Sequence, residues 1–331
     1  LSSAPQQTIT FNEIPDDWRV PSDNVEVRPN YEDLGLLGFQ AKALILSQMV
    51  TPGNAASAVP GTVYPIIADG QEIALFGAGS IAAQQIQAWR ANNKTTPLFA
   101  AGVTDAIGAV AATMTIPIVV PGTNTASAIN VIFSIAGENV TVSIPAASTA
   151  AAAAAAMIAD INETYQMPVI ASLVAPASVK LTALNGGTVA NSYDVRIASR
   201  SDALAPLVTF TLPSRTLTGG SGDPDMGSVL TSIARTWYTD IVIPWSDAAN
   251  RSEFAAELVR RYGAMVKLDA RGYMGINGTY GTLSTYGSAG NNPYIMTIGG
   301  QGMLEPPCVW AAAIGAVHAF RLANDPSRQS R

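Results

Sequence analysis

The chain has 331 residues, 48% of them hydrophobic and only 13% charged, and its 18 basic and 24 acidic side chains leave a formal net charge of −6. That length can bury a large core in two or three domains, and so few charges leave a surface of Ala, Gly, Ser, Thr and Asn that suits contact with other protein copies. The absence of Lys/Arg clusters argues against nucleic acid, a lone Cys308 and a lone His318 argue against a disulfide framework and a zinc site, and no apolar run reaches the ~20 residues that span a bilayer.

The opening residues carry no signal-peptide pattern. Pro5, Pro15 and Pro21 keep the first segment extended, and Val25-Glu26-Val27-Arg28 alternates apolar and charged side chains as an edge strand does. Residues 1–30 therefore read as an extended N-terminal arm rather than core. The mostly apolar run over 42–49 predicts a strand covered on both faces. After a Pro/Gly loop, residues 63–67 lead towards a helix capped by Ser80, with Ile81, Gln85, Ala88 and Trp89 at helical spacing. Residues 97–103 form a second buried strand, so strand, helix and strand make a parallel α/β unit.

The texture changes near residue 115. Strands are expected at 115–120, 129–135 and 140–144, with Gly137-Glu138-Asn139 as a hairpin loop between the last two. An alanine tract from 150 to 156 continues as a helix to Tyr165, capped by Thr149, with Met157, Ile158, Ile161 and Tyr165 close to one face. Further strands are expected at 169–174, 179–184, 193–198 and 207–212, with Asn185-Gly186-Gly187 as a turn. The stretch 115–215 thus reads as an inserted α+β domain, dividing an α/β core into a first half (31–114) and a second half (216–331). In that second half, helices are expected at 226–235 and 247–263, the latter with Phe254, Leu258, Val259 and Tyr262 as its apolar stripe. Strands at 240–244, 273–276 and 294–298, a Gly-rich helix near 279–289 and a last helix over 307–322 complete the pattern; the tail after residue 325 reads as frayed.

Five segments carry a resemblance: FNEIPDDWRVPSDNVEV (11–27), KALILSQM (42–49), LFGAGSIAAQQIQAWRANN (75–93), LTGGSGDPDM (217–226) and YTDIVIPWSDAANRSEFAAELVRRYG (238–263). Together they resemble the tail sheath proteins of Mu-like contractile-tailed bacteriophages, along the whole chain. The resemblance implies a subtilisin-like α/β core without protease activity, interrupted by an inserted domain. It implies partners: other copies in six-fold stacked rings joined by strand exchange through the arms, the tail tube protein, and baseplate and tail terminator proteins. It also implies residence in the virion tail after assembly in the bacterial host cytoplasm, and contraction that drives the tube through the host envelope. Within the arm, Phe11, Ile14, Trp18, Val20, Val25 and Val27 are the candidate intersubunit residues. Members of that family continue beyond the point where this chain stops. The Arg-ended polar tail resembles a proteolytic or designed cut as well as a natural end; if a C-terminal strand region is missing, the form is expected not to polymerise normally.

The residues also permit an enzyme, either an α/β hydrolase or a dinucleotide-binding protein. Gly77-x-Gly79-x-x-Ala82 fits the dinucleotide fingerprint, yet no acidic residue ends the next strand about 20 positions on; Asp105 lies beyond Gly102. His318 sits inside a helix near the end, with only tail serines after it, so a Ser-His-Asp triad has no base in the needed order. Asp223 and Asp225 read as loop and helix-cap residues rather than cation ligands, and Cys308 as a small buried hydrophobe. No catalytic, cofactor-binding or metal residue is expected. Trp18 is assigned to an interface; Trp237 and Tyr238 are assigned to the core.

Overall fold

The computed structural model of the protein describes residues 41–50, 56–122, 124–203 and 206–324; the expected arm and the polar tail lie outside the described residues. The chain enters through strand β1 (Ala43–Gln48), passes through β2 (Val63–Ile66), helices α1 (Gln71–Phe76) and α2 (Ile81–Asn92), and reaches β3 (Leu98–Val103). There follow β4 (Ala111–Val119), β5 (Ile129–Ile135), β6 (Glu138–Ile144), α3 (Ala150–Glu163), β7 (Val169–Val174), β8 (Ser178–Gly186), β9 (Val195–Arg200) and β10 (Thr209–Phe210). The chain then runs through α4 (Gly227–Ser232), β11 (Asp240–Val242), α5 (Ala248–Tyr262), β12 (Arg271–Asn277), α6 (Tyr280–Gly290), β13 (Ile295–Gly300) and α7 (Pro307–Asn324).

The first and last groups build one six-stranded sheet in the order β13-β12-β11-β1-β3-β2. Its pairings are parallel except β2 with β3. β1 is buried along its whole length because both faces are covered. Ala43 and Ile45 pack with Trp89 of α2 and Ala312 and Ala316 of α7 on one face. Leu44 and Leu46 pack with Val229 of α4 and Phe254 and Leu258 of α5 on the other. Val63–Ile66 form a strand in their own right: Pro65 lacks an N–H, which an edge strand tolerates. The short helix α1 was not foreseen.

The middle group pairs antiparallel, in a four-stranded sheet β10-β4-β8-β7 and a three-stranded sheet β6-β5-β9. Inward and outward residues alternate along β4, with Met114, Ile116 and Ile118 turned in. These strands and α3 share one buried cluster running from Ala112 to Leu217, with Phe133 and Phe210 edge to face at 5.0 Å. Thr149 caps α3 by accepting from the Ala152 N–H (3.2 Å), and Ala153, Ala154, Met157 and Ile161 face inward.

Four local expectations are corrected. The hairpin turn between β5 and β6 is Ala136-Gly137, not 137–139: both residues have positive φ (52° and 91°), the two-residue turn that matches strand twist. Tyr165 lies past the end of α3, which stops at Glu163, and is exposed. The inward stripe of α5 is Asn250, Phe254, Glu257, Leu258 and Arg261, while Val259 faces out. Arg261 is admitted because Glu257 (2.8 Å) and the carbonyls of Ile233 (2.9 Å) and Thr236 (3.0 Å) meet its guanidinium. Asn185 and Gly186 close β8 rather than form a turn, and they bind the two groups of strands together. Asn185 Nδ2 donates to the Met49 carbonyl and to Asp105 (3.0 Å each), and the Gly186 N–H donates to Asp105 (2.6 Å).

Candidate assembly surface

The switch point of the sheet and the GxGxxA stretch hold contacts within the protein itself. In open α/β sheets, ligands bind at the carboxyl ends of the strands where the strand order reverses. Here that point lies between β1 and β11. It is closed by Gln48, whose amide accepts from the Trp245 indole (3.0 Å) and donates to Asp105 (3.0 Å) and the Gly186 carbonyl (2.8 Å). Asp105 is thus a joint between strand groups, not a ribose ligand. The GxGxxA stretch follows helix α1 instead of a strand, and a side chain at Gly79 would strike the Met167 carbonyl. The α2 amino terminus is capped by Ser80, which accepts from Ala83 (3.1 Å), and by Asn185, which accepts from Ile81 (3.3 Å). These contacts leave no cradle for a diphosphate.

A cleft of about 520 Å³ opens beside Ser246, Asn277, Thr279, Gln301 and Cys308. Among the described residues that line it there is no carboxylate, amine or imidazole, and burial pushes the Cys308 thiol up to about 12. His318 packs elsewhere: its Nδ1 lies 2.7 Å from the Tyr273 hydroxyl, which donates to buried Asp240 (2.9 Å). Because that hydroxyl has one proton, Nδ1–H is the donor to it. Asp223 accepts from the Thr188 N–H (2.6 Å) and hydroxyl (2.5 Å), and Asp225 from the Gly227 N–H (2.7 Å), so both fasten loops. No group of three or more His, Cys, Asp or Glu that could hold a metal occurs among the described residues.

The ends of the sheets are more informative. A sheet edge presents unpaired N–H and C=O groups unless something covers them. On β2, Gln71 accepts from the Ile67 N–H (2.9 Å) and donates to the Pro65 carbonyl (3.0 Å), and Arg90 reaches the Ile66 and Ile67 carbonyls. On β6, Asp160 of α3 accepts from the Ser143 N–H (2.8 Å). On β7, Asn162 of α3 grips both groups of Ala171, accepting from its N–H (2.8 Å) and donating to its carbonyl (2.9 Å). The start of β9 is met by the Arg215 carbonyl, which accepts from Val195 (2.8 Å).

β13 differs. The Tyr294 and Gly300 carbonyls accept from the Gly272 and Gly278 N–H groups of the β12 side (2.8 and 3.0 Å). By the two-residue alternation of a strand, Ile295, Thr297 and Gly299 turn their backbone groups outward. Among the described residues, neither a strand nor a side chain bonds the outward groups of Thr297 and Gly299. Exposed Met296 and the nearby chain positions Met303 and Leu304 give this end of the molecule apolar surface as well.

The candidate arm residues Phe11, Ile14, Trp18, Val20, Val25 and Val27 lie outside the described residues. Tyr238 is buried and packs edge to face on Phe99, but Trp237 is 44% exposed, with its indole donating to the Asp269 carbonyl (2.9 Å), which corrects its assignment to the core. Sequence reading missed the edge-covering roles of Gln71, Asp160 and Asn162: one polar residue on an exposed helical turn carries no local sign of the strand it meets.

No protein-family model matches the chain. Over 324 residues it is 28% identical to the Mu-like prophage FluMu tail sheath protein of Haemophilus influenzae, an alignment that takes in 97% of this chain and 64% of that relative. The chain thus spans about 64% of the length of the curated relative it matches. Among solved structures, a sheath tail protein from Desulfitobacterium hafniense is 13% identical over 91% of this chain and 62% of that one, with a TM-score of 0.37. The flagellar cap protein FliD from Escherichia coli is 13% identical over 46% of this chain and 55% of that one, with a TM-score of 0.18. The likeness to Mu-like sheath proteins read from five segments is matched by similarity along nearly the whole chain.

Proposed function

We propose that this chain is a structural subunit of a contractile phage tail sheath, polymerising as stacked rings around the tail tube and contracting to drive the tube through the host envelope. The observation that carries the reading is the outer edge of β13, whose Thr297 and Gly299 groups nothing bonds among the described residues, in a protein whose β2, β6 and β7 edges each carry side-chain hydrogen bonds. A neighbour's extended segment laid along β13 supplies partners for the outward groups of Thr297 and Gly299. Each backbone hydrogen bond so formed is worth net about 0.5–1.5 kcal/mol, and repetition around a ring turns modest pairing into a strong mesh. In this reading the arm at 1–30 is a donated strand, with Phe11, Ile14, Trp18, Val20, Val25 and Val27 as its contacts. The parallel sheet is a subtilisin-like core, and 115–215 is an insertion with its own apolar centre. The partners are further copies in six-fold rings, the tail tube protein, and the baseplate and terminator proteins; the setting is the virion tail, assembled in the host cytoplasm. Similarity to a tail sheath protein over 97% of the chain supports this assignment.

The test is negative-stain electron microscopy of the intact gene product beside two variants. Thr297→Pro removes an outward N–H at a strand edge that tolerates proline, and the second variant deletes residues 1–30. Rings or tubes from the parent protein and none from either variant are expected. Tubes that form unchanged with Thr297→Pro exclude β13 as the acceptor, and a parent protein that stays a lone particle rejects the sheath role.

A further inference from the structure

Resting on that strand-exchange reading, we infer that Asn162 is a specificity-determining residue that closes a second, competing edge, so that copies of this chain join through β13 and not through β7.

β7 has what strand addition requires. The Leu184 N–H of β8 donates to the Pro168 carbonyl (3.0 Å), so by alternation Val169, Ala171 and Leu173 turn their backbone groups away from β8. No strand pairs with that side among the described residues. The strand is also rich in exposed apolar side chains: Ile170 is 53% and Leu173 57% exposed, and Tyr165 stands exposed in the turn before it. A long apolar edge of this kind is a template for another chain's strand.

Asn162 sits in the last turn of α3 and sets its amide against Ala171, the middle outward residue. It accepts from the Ala171 N–H at 2.8 Å and donates to the Ala171 carbonyl at 2.9 Å. This is the pair of bonds an incoming strand would make, supplied by one side chain. An arriving backbone must displace it and at the same time meet the body of the helix that carries it. Asp160, two residues earlier on α3, closes the Ser143 N–H of β6 (2.8 Å). One helix therefore covers the ends of two sheets. Alanine, valine or leucine at 162 would serve the helix as well or better, so helix formation does not explain the asparagine.

Asn162→Ala tests this in the full chain. The position is exposed and alanine is the better helix former, so the fold is expected to persist, which a thermal melt verifies. Hydrogen exchange at the Ala171 amide should accelerate roughly fivefold, the effect of losing one typical hydrogen bond. Light scattering should show faster and less ordered self-association than in the parent protein. Adding Ile170→Lys, a charge on the same strand, should suppress that association, whereas adding Thr297→Pro should not. The inference is overturned if Asn162→Ala associates no faster than the parent, or if Thr297→Pro rather than Ile170→Lys abolishes the excess. Those results leave the sheath reading intact. Conversely, ordered tubes from Thr297→Pro alone remove β13 as the acceptor whatever Asn162 does.

Discussion

The parallel sheet and the antiparallel region between Ala112 and Leu217 solve the same problem in opposite ways. Each buries an apolar centre, the first between helices on both faces and the second between two sheets and α3. In the antiparallel region side chains from α3 bond two of the edges, whereas in the parallel sheet side chains bond the β2 edge and, among the described residues, nothing bonds the outward groups of Thr297 and Gly299 on β13. The difference teaches that the residues holding the strands together and those meeting the sheet edges are separate. Core side chains bury the apolar centres, and under the strand-exchange proposal a few polar groups at the rim govern which strands can be shared.

The largest expected effect breaks the first half of that comparison. Phe133→Ala removes a fully buried ring from the antiparallel centre and should cost about 3–5 kcal/mol. Hydrogen exchange should rise in β4 to β9 and stay low in β1 and β3. An equal rise in β1 would mean that the two regions unfold as one. In the parallel half, Arg261→Met leaves Glu257 with Arg260 as its remaining partner and frees the Ile233 and Thr236 carbonyls. A loss of about 3 kcal/mol in urea denaturation is expected, and a neutral result would show that the buried pair is dispensable.

Helix caps sharpen the comparison at a smaller scale. Ser80 is fully buried, and its hydroxyl also donates to the Gly77 carbonyl (2.9 Å), whereas Thr149 caps α3 at an exposed turn. Ser80→Ala should cost up to about 2 kcal/mol and Thr149→Ala about 0.5–1 kcal/mol. Equal losses would deny that burial matters at the junction. The smallest effect concerns His318. Burial and then the Arg271 charge hold its pKa below the ordinary imidazole value, against the pull of Asp240. The folded chain therefore binds that proton more weakly than the unfolded chain. Stability should fall as pH drops below about 6.5, until the depressed folded value is passed. Urea midpoints at pH 7.5 and 5.5 should separate in the parent protein and draw together in His318→Gln; an unchanged gap would clear His318 of the effect.

Much of the fold was legible in the residues. The run over 42–49 is apolar at consecutive positions, so it had to be covered on both faces, and β1 is. Ser80, Thr149 and Asp247 cap helices because an oxygen on a short side chain reaches the N–H three residues on. These are local relations, and a linear sequence holds them entire. Hairpin register at Ala136-Gly137 escaped because alanine gives no sign that it will accept a left-handed backbone until its strands are paired. The polar joint of Gln48, Asp105 and Asn185, the meeting of Arg261 with the Ile233 and Thr236 carbonyls, and the rim amide of Asn162 were decided by tertiary structure alone. Each joins groups whose separation along the chain says nothing of their nearness, and a polar side chain declares its role only when a partner stands about 3 Å away.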